Sequence, residues 1–317
     1  MEPYRVSIPN WVAEEQLPRL LTLLEKAEGQ PSIVIDIAHV KFLTPAAIVS
    51  ILARCSRWSK EGRKIFLDGS ESCKNLGYLQ RIDFLKHLGV EIPEKFVRHE
   101  AADRFVPVRT LSFASGDVDR IASEITRCTL PNTHPEDDVY RLLQYAAGEL
   151  LSNAKYHSGG RAFVSAQFFP ARNLVRIAVA DDGIGIRGSF INTSRESEAD
   201  TADNAIRLAL QPQVSSALLR PNPNPYAGRN HRGVGLSITR ILAKEALGQL
   251  SITTEDGWFD ELRGEEQAHT CQPVFFPGTL IAVSLNRDQI VDYAAMHASA
   301  MSEIGMDEHD ADAMFMD

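Results

Sequence analysis

Val139, Leu142, Leu143, Ala146, Ala147, Leu150, Leu151 and Ala154 recur at three- and four-residue spacing. That spacing gathers them on one broad face of a helix over about 136–156. Two apolar runs follow, Ala162 to Phe169 and Leu174 to Ala180, separated by Pro170-Ala171-Arg172-Asn173, and they predict a β-hairpin. An irregular stretch at about 187–232 comes next, with a short helical run from Asn204 to Leu210. The pattern then predicts a helix from Val234 to Leu247, strands from Gln249 to Thr254 and from Thr279 to Leu285 joined by a loop, and a last helix from Asp288. The tail MDEHDADAMFMD is acidic and Met-rich and is expected to be mobile.

Upstream, Trp11 to Glu25 has helical periodicity and Ser32 to Ile37 reads as a buried strand. Thr44 to Trp58 reads as a helix with Pro45 early in its first turn, Lys64 to Leu67 as a second strand, and Leu76 to Leu88 as a helix ending at Gly89. Strand, helix, strand at this spacing is a parallel βαβ unit. A connector over 101–135 holds a strand from Val106 to Phe113 and a helix from Asp117 to Arg127. The fold class expected is α/β: a small unit over 1–100, then a two-layer sandwich over 136–287 with helices on one face of a mixed sheet, then a helix and tail over 288–317.

Composition narrows the function classes. The chain has 317 residues, 44% hydrophobic and 24% charged, as for a globular protein with room for two cores. A formal charge of −9 does not indicate nucleic-acid binding. No window reaches ~18 apolar residues and the start lacks a basic stretch followed by an apolar run, so neither a membrane span nor export is expected. The four cysteines have no metal-ligand spacing, which points to reduced thiols in a cytoplasmic protein.

Four stretches carry chemistry. In ELLSNAKYH, Glu149 and Asn153 stack one turn apart at the rim of the apolar face, a carboxylate and a carboxamide suited to Mg²⁺, which takes only one or two protein oxygens. In VADDGIGIR, a strand ends at Asp181, an acceptor for an exocyclic amine, and Gly183 and Gly185 allow close backbone approach. In NHRGVGLSI, Gly233 and Gly235 open a helix whose free N–H groups and dipole favour a phosphate. Pro277-Gly278-Thr279 enters the last strand. Taken singly, these stretches also read as a boundary polar pair, a turn, a flexible helix entry and a strand entry.

Together and in this order they resemble the GHKL (histidine kinase-like, Bergerat-type) ATP-binding domains. ELLSNAKYH resembles the N box, DDGIGI and RGVGLSI the two glycine boxes and FPGT the threonine strand, over about 136–287. The resemblance implies that Asn153 binds Mg²⁺, Asp181 reads the adenine amine, Gly183 and Gly185 pass beneath the nucleotide, Gly233 and Gly235 hold phosphates and Thr279 supports the adenine end. Glu149 takes the position that activates water or assists the metal, and Lys155 and Arg232 are phosphate contacts. The run VIDIAHVKFLTPAAIVSIL resembles a STAS domain, the fold of anti-sigma-factor antagonists. Where antagonists carry Asp-Ser this chain has Thr44-Pro45, and Thr44 is expected as a plain helix N-cap.

The resemblance implies an ATP-hydrolysing or ATP-gated switch with ATP and Mg²⁺ as cofactors, acting on a protein partner or as a homodimer. The alternatives are a serine/threonine kinase of the anti-sigma-factor type, a histidine kinase using His99, and a non-enzymatic ATP-binding module. The lid at 187–232 is expected to lack its own core, to be loosely held, and to dock when phosphates neutralise Arg229, His231 and Arg232.

Overall fold

In the computed structural model, which describes residues 2–98, 104–111, 116–130, 134–216, 233–267 and 274–306, two sheets share one helix between them. The first unit runs β1 (Tyr4–Ser7), β2 (Trp11–Val12), α1 (Leu17–Glu25), β3 (Ser32–Asp36), β4 (Phe42–Leu43), α2 (Pro45–Lys60), β5 (Lys64–Asp68), α3 (Leu76–Arg81) and α4 (Phe84–His87). Strands β1, β3 and β5 pair in parallel in that order, and α2 supplies the crossover that parallel neighbours require. The expected βαβ unit is present, with differences. Trp11 and Val12 leave the expected first helix to pair with Phe42 and Leu43, and α1 begins at Leu17 with Pro18 in its first turn. The expected helix over 76–88 breaks at Asp83, whose φ of 60° is left-handed, and so forms α3 and α4.

The second unit begins with β6 (Phe105–Thr110), α5 (Asp117–Thr129), α6 (Asp138–His157), β7 (Ala162–Phe169), β8 (Leu174–Asp181), α7 (Gly185–Phe190) and α8 (Ala202–Ala209). It continues through α9 (Gly235–Glu245), β9 (Gln249–Glu255), β10 (Gly257–Leu262), β11 (Glu265–Glu266), β12 (Phe276–Asn286) and α10 (Tyr293–Glu303). The seven-stranded sheet has the order β11-β10-β9-β12-β8-β7-β6. Every described pair in it is antiparallel, so it is not the mixed sheet expected. The segment taken for a connector belongs to this unit, because β6 forms a sheet edge and α5 packs on α6. The loop expected before the last strand holds β10 and β11.

Strand alternation gives the sheet two apolar faces. Val164, Ile177, Val179, Ile281 and Val283 point to α6, α9 and α10, while Phe163, Ala178, Ala180, Phe276 and Leu280 point to the first unit. Helices therefore lie on both faces, not one, and the second layer is α2, borrowed from the other end of the chain. From Pro45 to Cys55 every residue of α2 is buried, because one side meets the three-stranded sheet and the other the seven-stranded one. Ala178, Ala180 and Ala282 provide the short side chains over which it lies. Thr44 takes the N-cap position but does not cap. Its fully buried hydroxyl makes no hydrogen bond, and the first-turn amides receive no side-chain acceptor from it.

The described part of the irregular segment, 187–216, is more built than expected. Phe190, Ala199, Ala205, Leu208 and Val214 form a cluster of their own, and the Trp258 amide donates to Asp203 at 3.0 Å. Residues 217–232, among them Arg229, His231 and Arg232, lie outside the described residues, as do His99 and the acidic tail. No helix among the described residues is long and apolar enough to cross a membrane.

Arg54 is the largest polar group in this shared core. Its guanidinium is fully buried, 2.6 Å from Glu28 and 2.7 Å from the Phe275 carbonyl, and it lies 5.9 Å from the rings of Trp58, Phe275 and Phe276. Burial lowers its pKa to about 10, which leaves it charged at neutral pH. Arg54→Ala should cost about 3–5 kcal/mol in chemical denaturation, the range for breaking a buried ion pair. Arg54→Lys should recover only part, since an ammonium cannot span both partners in the planar geometry of the fork.

Candidate functional site

A cleft of about 570 Å³ opens where α6 passes the ends of β8 and β12. Helical periodicity brings Glu149, Asn153 and Lys155 to it from α6; strand termination brings Asp181 from β8; Thr279 comes from β12 and Gly233 and Gly235 from the start of α9. Gly185 lines it too. Eight of the residues singled out in the sequence thus meet in one cavity. Gly183 does not line it, and Arg232 lies outside the described residues.

Asp181 is 3% exposed and accepts a hydrogen bond from the Gly183 amide at 2.9 Å and others from the amide and hydroxyl of Thr279. Burial outweighs these bonds and pushes its pKa up to about 7. The same cleft is lined by apolar side chains, among them Val179, Ile186, Phe190 and Ile281. A buried acceptor in a cleft with apolar lining suits a planar heterocycle that carries an amine.

The glycines have separate reasons. Gly185 has a φ of +72°, and a Cβ there would lie 2.8 Å from Thr254 Oγ1, the oxygen that accepts the Ile186 amide at 3.1 Å. Gly183 is packed against the Ser158 carbonyl at the end of α6, so its role is to seat the loop behind the cleft. At Gly235 a Cβ would overlap the Glu149 carboxylate, so the missing side chain lets this acid sit beside the first turn of α9.

Glu149 receives no hydrogen bond from a described residue, and burial alone pushes its pKa up to about 7. Asn153, one turn on, has a buried Nδ2 that finds no partner. An amide in this state has a bond to offer a ligand, and because the two amide ends exchange by a flip, it offers either a donor or an oxygen. Lys155 lines the cavity with its ammonium 5.6 Å from the Tyr156 ring. The described residues hold no cluster of three or more His, Cys, Asp or Glu able to form a metal centre by themselves. A hard cation here would rest on Glu149 and Asn153 and complete its shell from water and ligand oxygens, and the unpartnered amide fits that demand. The start of α9 has no side-chain cap.

Sequence reasoning missed the apolar contribution of Ile186, inside the VADDGIGIR motif, and of Phe190, in the segment read as irregular, and it missed Thr254, whose hydroxyl has no local signal. It also passed over Asp182. No family model, curated protein or solved structure matches the chain.

Two acids held near neutrality give the stability a definite pH dependence. With folded pKa values raised, the folded state binds more protons than the unfolded one between the ordinary carboxylate range and about pH 7. Stability of the ligand-free protein should therefore fall as pH rises from 4.5 to 7, by on the order of 3 kcal/mol from Glu149. Glu149→Gln should be the more stable form at pH 8 and lose that advantage at pH 4. Denaturation midpoints of the variant and the parent at the two pH values check this.

Proposed function

We propose that the cleft binds ATP with Mg²⁺ and that the protein is an ATP-hydrolysing or ATP-gated regulatory switch. The observation that carries this reading is the pairing of two unlike poles in one cavity. The Asp181–Thr279 pair lies with apolar lining on one side, and on the other Glu149 lies against the uncapped, glycine-opened start of α9 with Asn153 one turn along α6. The order of the motifs resembles the GHKL domains, and the placement supports the same assignment of roles. Asp181 accepts from the adenine amine. The α9 amides take phosphate oxygens, and Lys155 lines the same cleft. Asn153 and Glu149 hold the metal, which when bound would neutralise phosphate charge and polarise the terminal phosphoryl group.

Glu149 is the group that separates a hydrolase from a passive binder. A carboxylate with a pKa near 7 is poised to take a proton from water at neutral pH, a contribution typically of 10²- to 10⁴-fold. Transfer to the STAS-like unit is disfavoured, because Pro45 stands where the acceptor serine would be and the neighbouring Thr44 is buried with its hydroxyl inside the core.

Incubation with Mg-ATP labelled on the terminal phosphate decides the class: release to water supports the switch, label on protein supports a kinase, and neither leaves a binding module. Asn153→Ala should weaken Mg-ATP more than metal-free ATP in titration calorimetry. Asp181→Asn, which adds a donor where only acceptors stood, should collapse the preference for ATP over GTP. Glu149→Gln should keep the nucleotide and lose phosphate release by about 10²-fold or more.

A further inference from the structure

Behind the cleft, α2 reaches the two loops that present its polar pair. Asp182, next to Asp181, has a side chain with 0% exposure, held by three donors: the Ser56 hydroxyl at 2.6 Å, the Lys60 ammonium at 2.6 Å and the Arg161 amide at 2.7 Å. Arg57, between those two α2 residues, donates to the Gly183 carbonyl at 3.3 Å and to the Pro277 carbonyl at 3.4 Å. Pro277 and Gly278 lead directly into Thr279, and a Cβ on Gly278 would overlap the Asp181 carbonyl, so the two loops are in backbone contact. Ser56, Arg57 and Lys60 lie on one helical stripe, and all three engage the second unit at these loops.

We infer that this stripe is a positioning element for base recognition: Lys60 and Ser56, through Asp182, and Arg57, through the carbonyls of Gly183 and Pro277, fix the spacing at which Asp181 and Thr279 meet a ligand. Three features of the arrangement require it. Asp182 is a buried carboxylate whose only cationic partner among the described residues is the half-exposed Lys60, with a side-chain exposure of 51%, so that removing the ammonium leaves a buried charge on the residue adjacent to Asp181. Arg57 touches both loops with one guanidinium and so ties their separation to one rigid helix. The element doing this belongs to the N-terminal unit, which makes that unit a support behind the cleft lining and not a detached module. Anything that bound the N-terminal unit and shifted α2 would alter the cleft, and by linkage a ligand in the cleft would alter that binding equally.

This inference rests on the proposal that the cleft takes a nucleotide base, and the test separates the two. Lys60→Met, Lys60→Arg and the parent are compared in binding adenosine, ATP and inorganic tripolyphosphate with Mg²⁺, and in hydrogen exchange at the amides of Gly183 to Ile186. Lys60→Met should weaken adenosine and ATP by about tenfold, the cost of one charge-assisted bond, while tripolyphosphate binding is unchanged; Lys60→Arg should restore most of the loss. Exchange at Gly183 and Ile186 should accelerate in Lys60→Met and return toward the parent in Lys60→Arg. Equal weakening of all three ligands, or exchange unaltered in Lys60→Met, overturns the positioning role. If the parent binds no adenosine but exchange still accelerates in Lys60→Met, the positioning stands and the nucleotide reading falls.

Discussion

The structure depends on the burial of α2 between two sheets. A helix whose first eleven residues are all buried has no face for water, so its formation and the docking of the two units are one event. The same helix is the crossover of the parallel sheet and the back layer of the antiparallel one. Its polar groups follow from that position. Arg54 lies too deep to reach solvent and takes Glu28 from its own unit and the Phe275 carbonyl from the other. Toward the C-terminal end the helix emerges, and there Ser56, Arg57 and Lys60 satisfy loop groups that would otherwise be orphaned.

At the cleft, desolvation is arranged where a charged ligand would reverse it. Glu149 and Asp181 are both pushed up to about 7, the first without any hydrogen bond from the described residues and the second despite several. Such groups are destabilising in the empty protein and become favourable when a cation or an amine arrives, which is the common pattern of functional sites. The glycines serve the same arrangement by omission: at Gly235 the space goes to an acid, and at Gly183 to the end of α6.

Much of this was legible in the sequence, and the reasons are local. The strand runs over 162–169 and 174–181 are bounded by a proline-containing turn, and α6 has an unbroken apolar stripe, so both register as elements. Eight of the ten site residues converge, some because they sit at the end of a strand or the start of a helix, as Asp181 and Gly235 do, and others because helical spacing puts them on one face, as with Glu149 and Asn153. What escaped has non-local causes. Trp11 and Val12 fit a helical period yet pair with Phe42 and Leu43, a partner no window contains. The sense of the sheet depends on where β12 inserts between β9 and β8, which spacing does not encode. Thr44 carries the right residue type for a cap, and its burial leaves the hydroxyl without one. Asp182 carried no signal because its partners, Ser56 and Lys60, lie far upstream.

The two poles of the cleft differ in how much is already in place. The Asp181 end is preorganised: Ile186 donates to Thr254, Phe190 is buried in its own cluster, and α8 is docked on β10 through Asp203. A ligand entering there would order little new chain and lose little entropy. The other pole is tied to the segment leaving that cluster, since Gly233, with a φ of +72°, packs against the backbone of Val214 and the Ser237 hydroxyl donates to the Leu210 carbonyl at 2.9 Å. The start of α9 and the end of this segment are therefore mechanically one piece. Charge arriving at the α9 amides would act on that piece first, while the Asp181 end, braced by α2 from behind, stays as it is. A cleft with one fixed pole and one pole continuous with a neighbouring segment can hold a ligand in a constant orientation while it transmits the state of the ligand's charged end.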